Sequence, residues 1–238
     1  MRRFVSCCCA AAVLLGPAAA FGAIETGFIQ KPWPKQRVRH LEVGRHEVRW
    51  REWASKPGGI FAGARFETPL PRQTVWGLSN SYTDVGEMTP GVTAVRYLER
   101  TERRQVIQVD IKVLWKTLQL TFEVEQDPPT VARFRLLNDL IGDYRGVCIF
   151  EELPAQGAGG PPAPAARQSQ EPGRAAIMTS RPGTAVEFST WLQPSRPVPM
   201  GLVLFVERMT MLQAARRFLD ECDRHIHQGD AKLQSHLQ

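Results

Sequence analysis

The stretch 194-PSRPVPMGLVLFVERMTMLQAARRFLDECD-223 decides how the rest of this chain is read. Pro194, Pro197 and Pro199 stiffen the approach, because each fixes φ and the last suits the first turn of a helix. From Met200 onward, Leu202, Phe205, Met209, Leu212 and Leu219 fall on a three-four spacing, with Glu207, Arg208, Gln213, Arg216 and Arg217 between them. The pattern predicts one long helix whose apolar stripe faces a partner.

Upstream residues supply that partner. Ile107, Val109, Ile111, Val113 and Trp115 alternate with Gln108, Asp110, Lys112 and Leu114. Leu118, Leu120, Phe122 and Val124 then alternate with Gln119, Thr121, Glu123 and Glu125. A period of two with one wet and one buried face marks antiparallel strands. Asp127-Pro128-Pro129 turns the chain into a strand over 131–137, and residues 138–142 turn it again into 144–153. Alternation returns at Val186, Phe188, Thr190 and Leu192. Nearer the start, Val48, Trp50 and Glu52 open a strand, 56–59 turn it, and 60–66 form the next. Residues 71–78 read as a short helix, and 79–90 leave room for at most one further turn. The class is α+β: a curved antiparallel sheet closed over a long C-terminal helix.

The 238 residues, 43% hydrophobic and 23% charged, suit one globular domain over 46–223 once the ends and an insert are set aside. Residues 154–182, rich in Gly and Pro, bury too little to order themselves and read as a disordered loop. Residues 23–45, with Pro32 and Pro34 around Trp33, read as an extended surface arm, and 224–238 as a polar tail. Residues 1–22 have the form of a secretory signal peptide: Arg2 and Arg3, an apolar run too short to span a bilayer, then small residues. The mature chain is therefore expected to be periplasmic or secreted. Without the leader only Cys148 and Cys222 remain; they either pair or stay as two separate thiols.

The formal charge of +6 is spread through most segments, which argues against a nucleic-acid partner and leaves transient contact with an anionic membrane surface open. No Gly-rich phosphate loop, HExxH or Gly-x-Ser-x-Gly occurs. His40, His46, His225, His227 and His236 all lie outside the expected core, so neither a metal nor another cofactor is predicted. Tyr144 is the one polar-tipped side chain placed at the interior, more naturally as a wall residue than as a catalyst.

The local motifs carry a resemblance. Gly63-Ala64-Arg65-Phe66-Glu67-Thr68-Pro69, Val75-Trp76-Gly77-Leu78, Tyr82-Thr83-Asp84 and Thr89-Pro90 resemble the opening of the START-like (SRPBCC) superfamily of polyketide cyclase/dehydrase and coenzyme-Q-binding type. Tyr144-Arg145-Gly146 and the three prolines before the helix resemble its later landmarks. Cys148 departs from the tryptophan that many relatives carry. The resemblance implies a helix-grip fold and a cavity between sheet and helix for a lipid, quinone or polyketide-like guest. It also turns residues that would otherwise be ordinary core into expected cavity lining: Trp115, Phe122, Phe134, Tyr144, Phe150 and Phe188 from the strands, and Phe205, Met209 and Leu212 from the helix. A carrier without catalytic residues is the leading expectation. A cyclase- or hydratase-like enzyme using Tyr144, and a ligand-free interaction module of the cell envelope, are its rivals. The leader gives the first prediction: N-terminal sequencing of the exported product should find a start between Ala20 and Ala23, and an intact Met1 on a membrane-bound species would refute it.

Overall fold

The computed structural model describes Ile24, Thr26 and residues 38–55, 59–81, 86, 89, 91–113, 115–154 and 182–235. The expected leader, nearly all of the expected loop at 154–182 and most of 79–90 lie outside these residues. Among the described residues the elements are β1 (Arg39–Val43), β2 (His46–Ser55), β3 (Gly59–Thr68), α1 (Arg72–Asn80), β4 (Val92–Arg100), β5 (Arg104–Val113), β6 (Lys116–Asp127), β7 (Val131–Leu136), β8 (Gly142–Glu152), β9 (Thr184–Pro194) and α2 (Met200–Ser235). The strands make one antiparallel sheet in the order β1-β2-β3-β9-β8-β7-β6-β5-β4. Sequential hairpins build most of it, and the pairing of β3 with β9 joins the two ends of the chain.

The surface-arm expectation for residues 23–45 is corrected in two places. Residues 39–43 form edge strand β1, with Leu41 opposite Val48, and Gly44 supplies the positive φ of 67° at the turn into β2. Ile24 and Thr26 are buried, and the Ile24 amide donates to Glu125 Oε2 at 3.0 Å. The polar-tail expectation is corrected too, because α2 continues through Ser235. No proline follows Pro199, and Arg224 and His225 lie within reach of Glu221 one turn back, so the polar residues can extend the helix.

The helix also faces the sheet differently from the expected stripe. Among the described side chains of α2, Met211, Ala215, Leu219 and Cys222 are the buried ones, whereas Leu202, Phe205 and Met209 are 59%, 57% and 42% exposed. Four-residue spacing defines this second face, rotated from the first by roughly one residue's turn of about 100°. It wins because Ala62 and Ala64 on β3 let the backbone approach closely, and α2 packs across β1, β2 and β3. Polar clamps fix the same face. Arg208 Nε donates to Glu52 Oε2 at 2.9 Å. Asp223 accepts from Arg45 Nε and lies against His46 Nε2, each at 2.8 Å. Burial alone would raise the Asp223 carboxyl, but these hydrogen bonds outweigh it and hold the group below the usual range.

Charge is buried on the sheet's other face. Glu123, fully buried, accepts from Arg104 Nε and from Arg135 Nε, each at 2.7 Å. Arg51 lies 3.4 Å from Glu187 and 4.6 Å above the Phe61 ring; burial pulls its pKa down to about 10, against the opposing pull of Glu187. The helix register gives the next prediction. Leu219→Ala should cost about 2–5 kcal/mol of unfolding free energy and Met209→Ala less than about 1 kcal/mol, read from urea denaturation. The reverse order would mean that the Leu202–Met209 stripe is the packed one.

Candidate functional site

The strand register gathers aromatic side chains on the concave face. Phe134 on β7 lies opposite Gly146 on β8, where a Cβ would meet its ring at 1.9 Å, so only glycine lets the ring lie flat there. The Phe134 ring stacks on Phe188 at 5.6 Å, and Phe122 stands edge-on to Phe134 at 6.3 Å and to Tyr144 at 6.1 Å. These four residues are all half-buried, so they wall a groove without being closed over by neighbours.

The other expected lining residues are placed elsewhere. Trp115 sits at the β5–β6 turn, 81% exposed, because the alternation that seemed to place it inward ends at the hairpin. Phe205 and Met209 lie on the exposed stripe of α2, and this corrects their assignment to the lining. Phe150 is 2% exposed and packs edge-on against Trp76 of α1 at 5.3 Å, as core. Leu212 is half-buried at the edge of that core.

A polar cluster sits at the groove's border with the helix. The Tyr144 hydroxyl donates to Glu207 Oε1 at 3.3 Å, and the Thr190 hydroxyl donates to the same oxygen at 2.7 Å. Tyr144 and Glu207 retain some surface as a whole, but their polar ends are turned inward, and Thr190 is buried. Burial raises the Glu207 carboxyl above the ordinary carboxylate range against the opposing pull of the two hydrogen bonds. Burial, with Glu207 nearby, raises Tyr144 well above a normal phenol. In its protonated form such a carboxyl can accept and donate at once. Glu207 and Thr190 were missed from the sequence. The available signal was the spacing Glu207-Met211-Ala215-Leu219, which places a carboxylate on the buried face.

Beside α1 lies a separate open depression of about 690 Å³, bounded among others by Trp76, Asn80, Tyr97, Arg100, Gln105 and Gln126. Cys148 and Cys222 are free; burial raises both thiols, Cys222 to about 12. Donor atoms of His46, Asp220 and Asp223 lie within 4.8 Å of one another, but Asp223 is already engaged by Arg45 and His46.

A nine-stranded curved sheet with a long C-terminal helix and an aromatic-walled concavity defines a START-like helix-grip protein. The family model described as "Polyketide cyclase / dehydrase and lipid transport" matches residues 68–219, and the chain belongs to that family. Among solved structures, it is similar to a STAR-related lipid transfer protein from Xanthomonas axonopodis, with 12% identity, 78% of this chain and 98% of that one covered, and a TM-score of 0.54. It is also similar to the Zhui aromatase/cyclase from Streptomyces sp. R1128, with 14% identity, 71% and 96% covered, and a TM-score of 0.48. No curated protein sequence matches.

The pH behaviour of the cluster is testable. A carboxyl whose folded pKa is raised stabilises the fold fully below its unfolded value, and that contribution is lost as pH climbs through the raised one. The stability of the wild type relative to Glu207→Gln should therefore fall as pH rises above about 4.5. Thermal melts of both proteins across the acid-to-neutral range measure it, and a pH-independent difference would place the carboxyl in water.

Proposed function

We propose that this chain is a binding or carrier protein for one apolar small molecule, a lipid, quinone or polyketide-like compound, held in the concave groove beside α2. The observation that carries the reading is the half-buried wall of Phe122, Phe134, Tyr144 and Phe188, which the helix leaves uncovered. A concave, mainly aromatic surface with few polar groups binds by burial and shape. The family description includes lipid transport, and the Xanthomonas neighbour is named a lipid transfer protein, which supports the same class of guest. Leu202, Phe205, Val206 and Met209 form an exposed apolar stripe on α2, which favours a transient contact with a membrane surface during loading; sedimentation with lipid vesicles reads that contact. The leader-like residues 1–22 favour action outside the cytoplasm.

A second reading, a cyclase-like enzyme, is favoured by the Tyr144–Glu207 pair, since an inward carboxyl of raised pKa beside a phenol can deliver and recover a proton. Recovering the guest chemically unchanged, or changed, separates the two readings. For the carrier, a fluorescent polyene fatty acid should bind saturably at one site. Gly146→Val should weaken it by about tenfold, because the new side chain forces the Phe134 ring outward into the groove. Absence of saturable binding by the wild type, or indifference to both Gly146→Val and Phe188→Trp, would remove the groove as the site.

A further inference from the structure

Glu207 is held by only one of its two oxygens. Oε1 takes both hydroxyl protons, from Tyr144 at 3.3 Å and from Thr190 at 2.7 Å. Thr190 has a single proton to give, and its 3.4 Å separation from the Ala62 carbonyl is the weaker of these two oxygen contacts. Oε2 takes no hydrogen bond among the described residues, yet it is not sealed from solvent, and Glu207 as a whole keeps surface. Two donors fill the two lone pairs of Oε1, so a proton on this carboxyl sits on Oε2. The protonated group presents one O–H donor on its free side.

The aromatic wall comes up to this cluster with no side chain between. Thr190 lies opposite Gly146, and Gly146 lies opposite Phe134. Gly146 has no side chain, and the Phe134 ring occupies the space above it, so that ring is the neighbour of Thr190 across the sheet. The Tyr144 ring lies 6.0 Å from Phe134 and carries the hydroxyl that meets Glu207. A guest seated on Phe134 and Tyr144 therefore lies beside the carboxyl.

No charge among the described residues is paired with it. At this point β8 offers Tyr144, β9 offers Thr190, and β3 offers Ala62, opposite Thr190. Arg208, the next helix residue, and Arg39 on β1 both turn to Glu52 on β2. Burial already raises the Glu207 carboxyl, and an apolar guest that displaces its remaining water favours the protonated form further.

We propose that Glu207 Oε2–H is the donor that selects guests bearing a carbonyl oxygen, as in a ketone, quinone or ester, with the apolar body along Phe122, Phe134 and Phe188. This rests on the groove being a binding site and adds a chemical requirement on the guest. The preference is complete while the carboxyl is protonated. It is lost as pH climbs through the raised pKa, because a carboxylate then faces the guest's carbonyl oxygen.

The test uses the full chain with two fluorophores: diphenylhexatriene, a hydrocarbon, and prodan, a naphthyl ketone whose emission moves to the red when its carbonyl accepts a hydrogen bond. The ratio of their dissociation constants is followed with pH. In the wild type, the ratio should favour prodan by about tenfold more in mildly acid than in alkaline buffer, the worth of one buried hydrogen bond. Glu207→Gln, whose amide oxygen can take both hydroxyls while its N–H faces the guest, should keep the ketone preference and the red emission but lose their pH dependence. Glu207→Leu should lose the preference and the red emission together. If Glu207→Leu fails to melt cooperatively, the wild-type pH series and Glu207→Gln decide. Saturable diphenylhexatriene binding with a ratio that does not fall with pH, or with a ketone preference that survives Glu207→Leu, overturns the assignment and leaves the carrier function standing. Lack of saturable binding of either fluorophore overturns both.

Discussion

One helix has to serve a sheet much wider than itself. Nine strands at about 4.8 Å spacing would extend roughly 40 Å if flat, while a helix with its side chains is about 10–12 Å across. Curvature narrows the gap without closing it. The helix settles where the backbone can approach most closely, over Ala62 and Ala64, and is clamped there by Arg208 on Glu52 and by Asp223 on Arg45 and His46. The apolar face of the remaining strands is left to α1 at one end and to a groove elsewhere. The candidate site is the part of the concave face that the packing of α2 does not consume.

The two faces of the sheet treat buried carboxyls in opposite ways. Glu123 is buried between two guanidinium groups, which keep company with a charge that could not be left alone there. Glu207, among the described residues, takes hydrogen bonds from two hydroxyls, and burial raises its carboxyl above the ordinary range. The difference suits the tasks of the surfaces. Ion pairs lock strands β5, β6 and β7 in register on one side. On the other, two hydroxyls and a carboxyl of raised pKa border the aromatic groove, with no guanidinium hydrogen-bonded to that carboxyl among the described residues.

The hairpin β1–β2 shows how the helix acquired its position. Leu41 and Val43 on β1, with Val48 and Trp50 on β2, extend the apolar face beyond β3, so the helix has a floor on that flank and its packed face turns towards it. The stripe from Leu202 to Met209 then has no strand beneath it and faces outward. The same turn of the helix that exposes Phe205 brings Glu207 to Tyr144 and Thr190.

Alternation with period two was legible from Ile107 to Val124 because side chains on a strand must point to opposite faces, whatever lies around them. The long helix after Pro199 was legible for the equivalent reason at period 3.6, and with them the α+β class and the order of elements. Phe122, Phe134, Tyr144 and Phe188 could be picked out because strand parity puts them on one face, and antiparallel pairing then brings them together. Which of two adjacent apolar stripes the helix buries was not legible. Both satisfy the period, and the choice depends on the small residues of β3 and on salt bridges such as Arg45–Asp223, 178 residues apart. Trp115 was misplaced because parity has no meaning past the turn. The role of Glu207 was invisible for a deeper reason: a carboxyl's pKa is raised only through burial and partners that the folded chain assembles from distant segments.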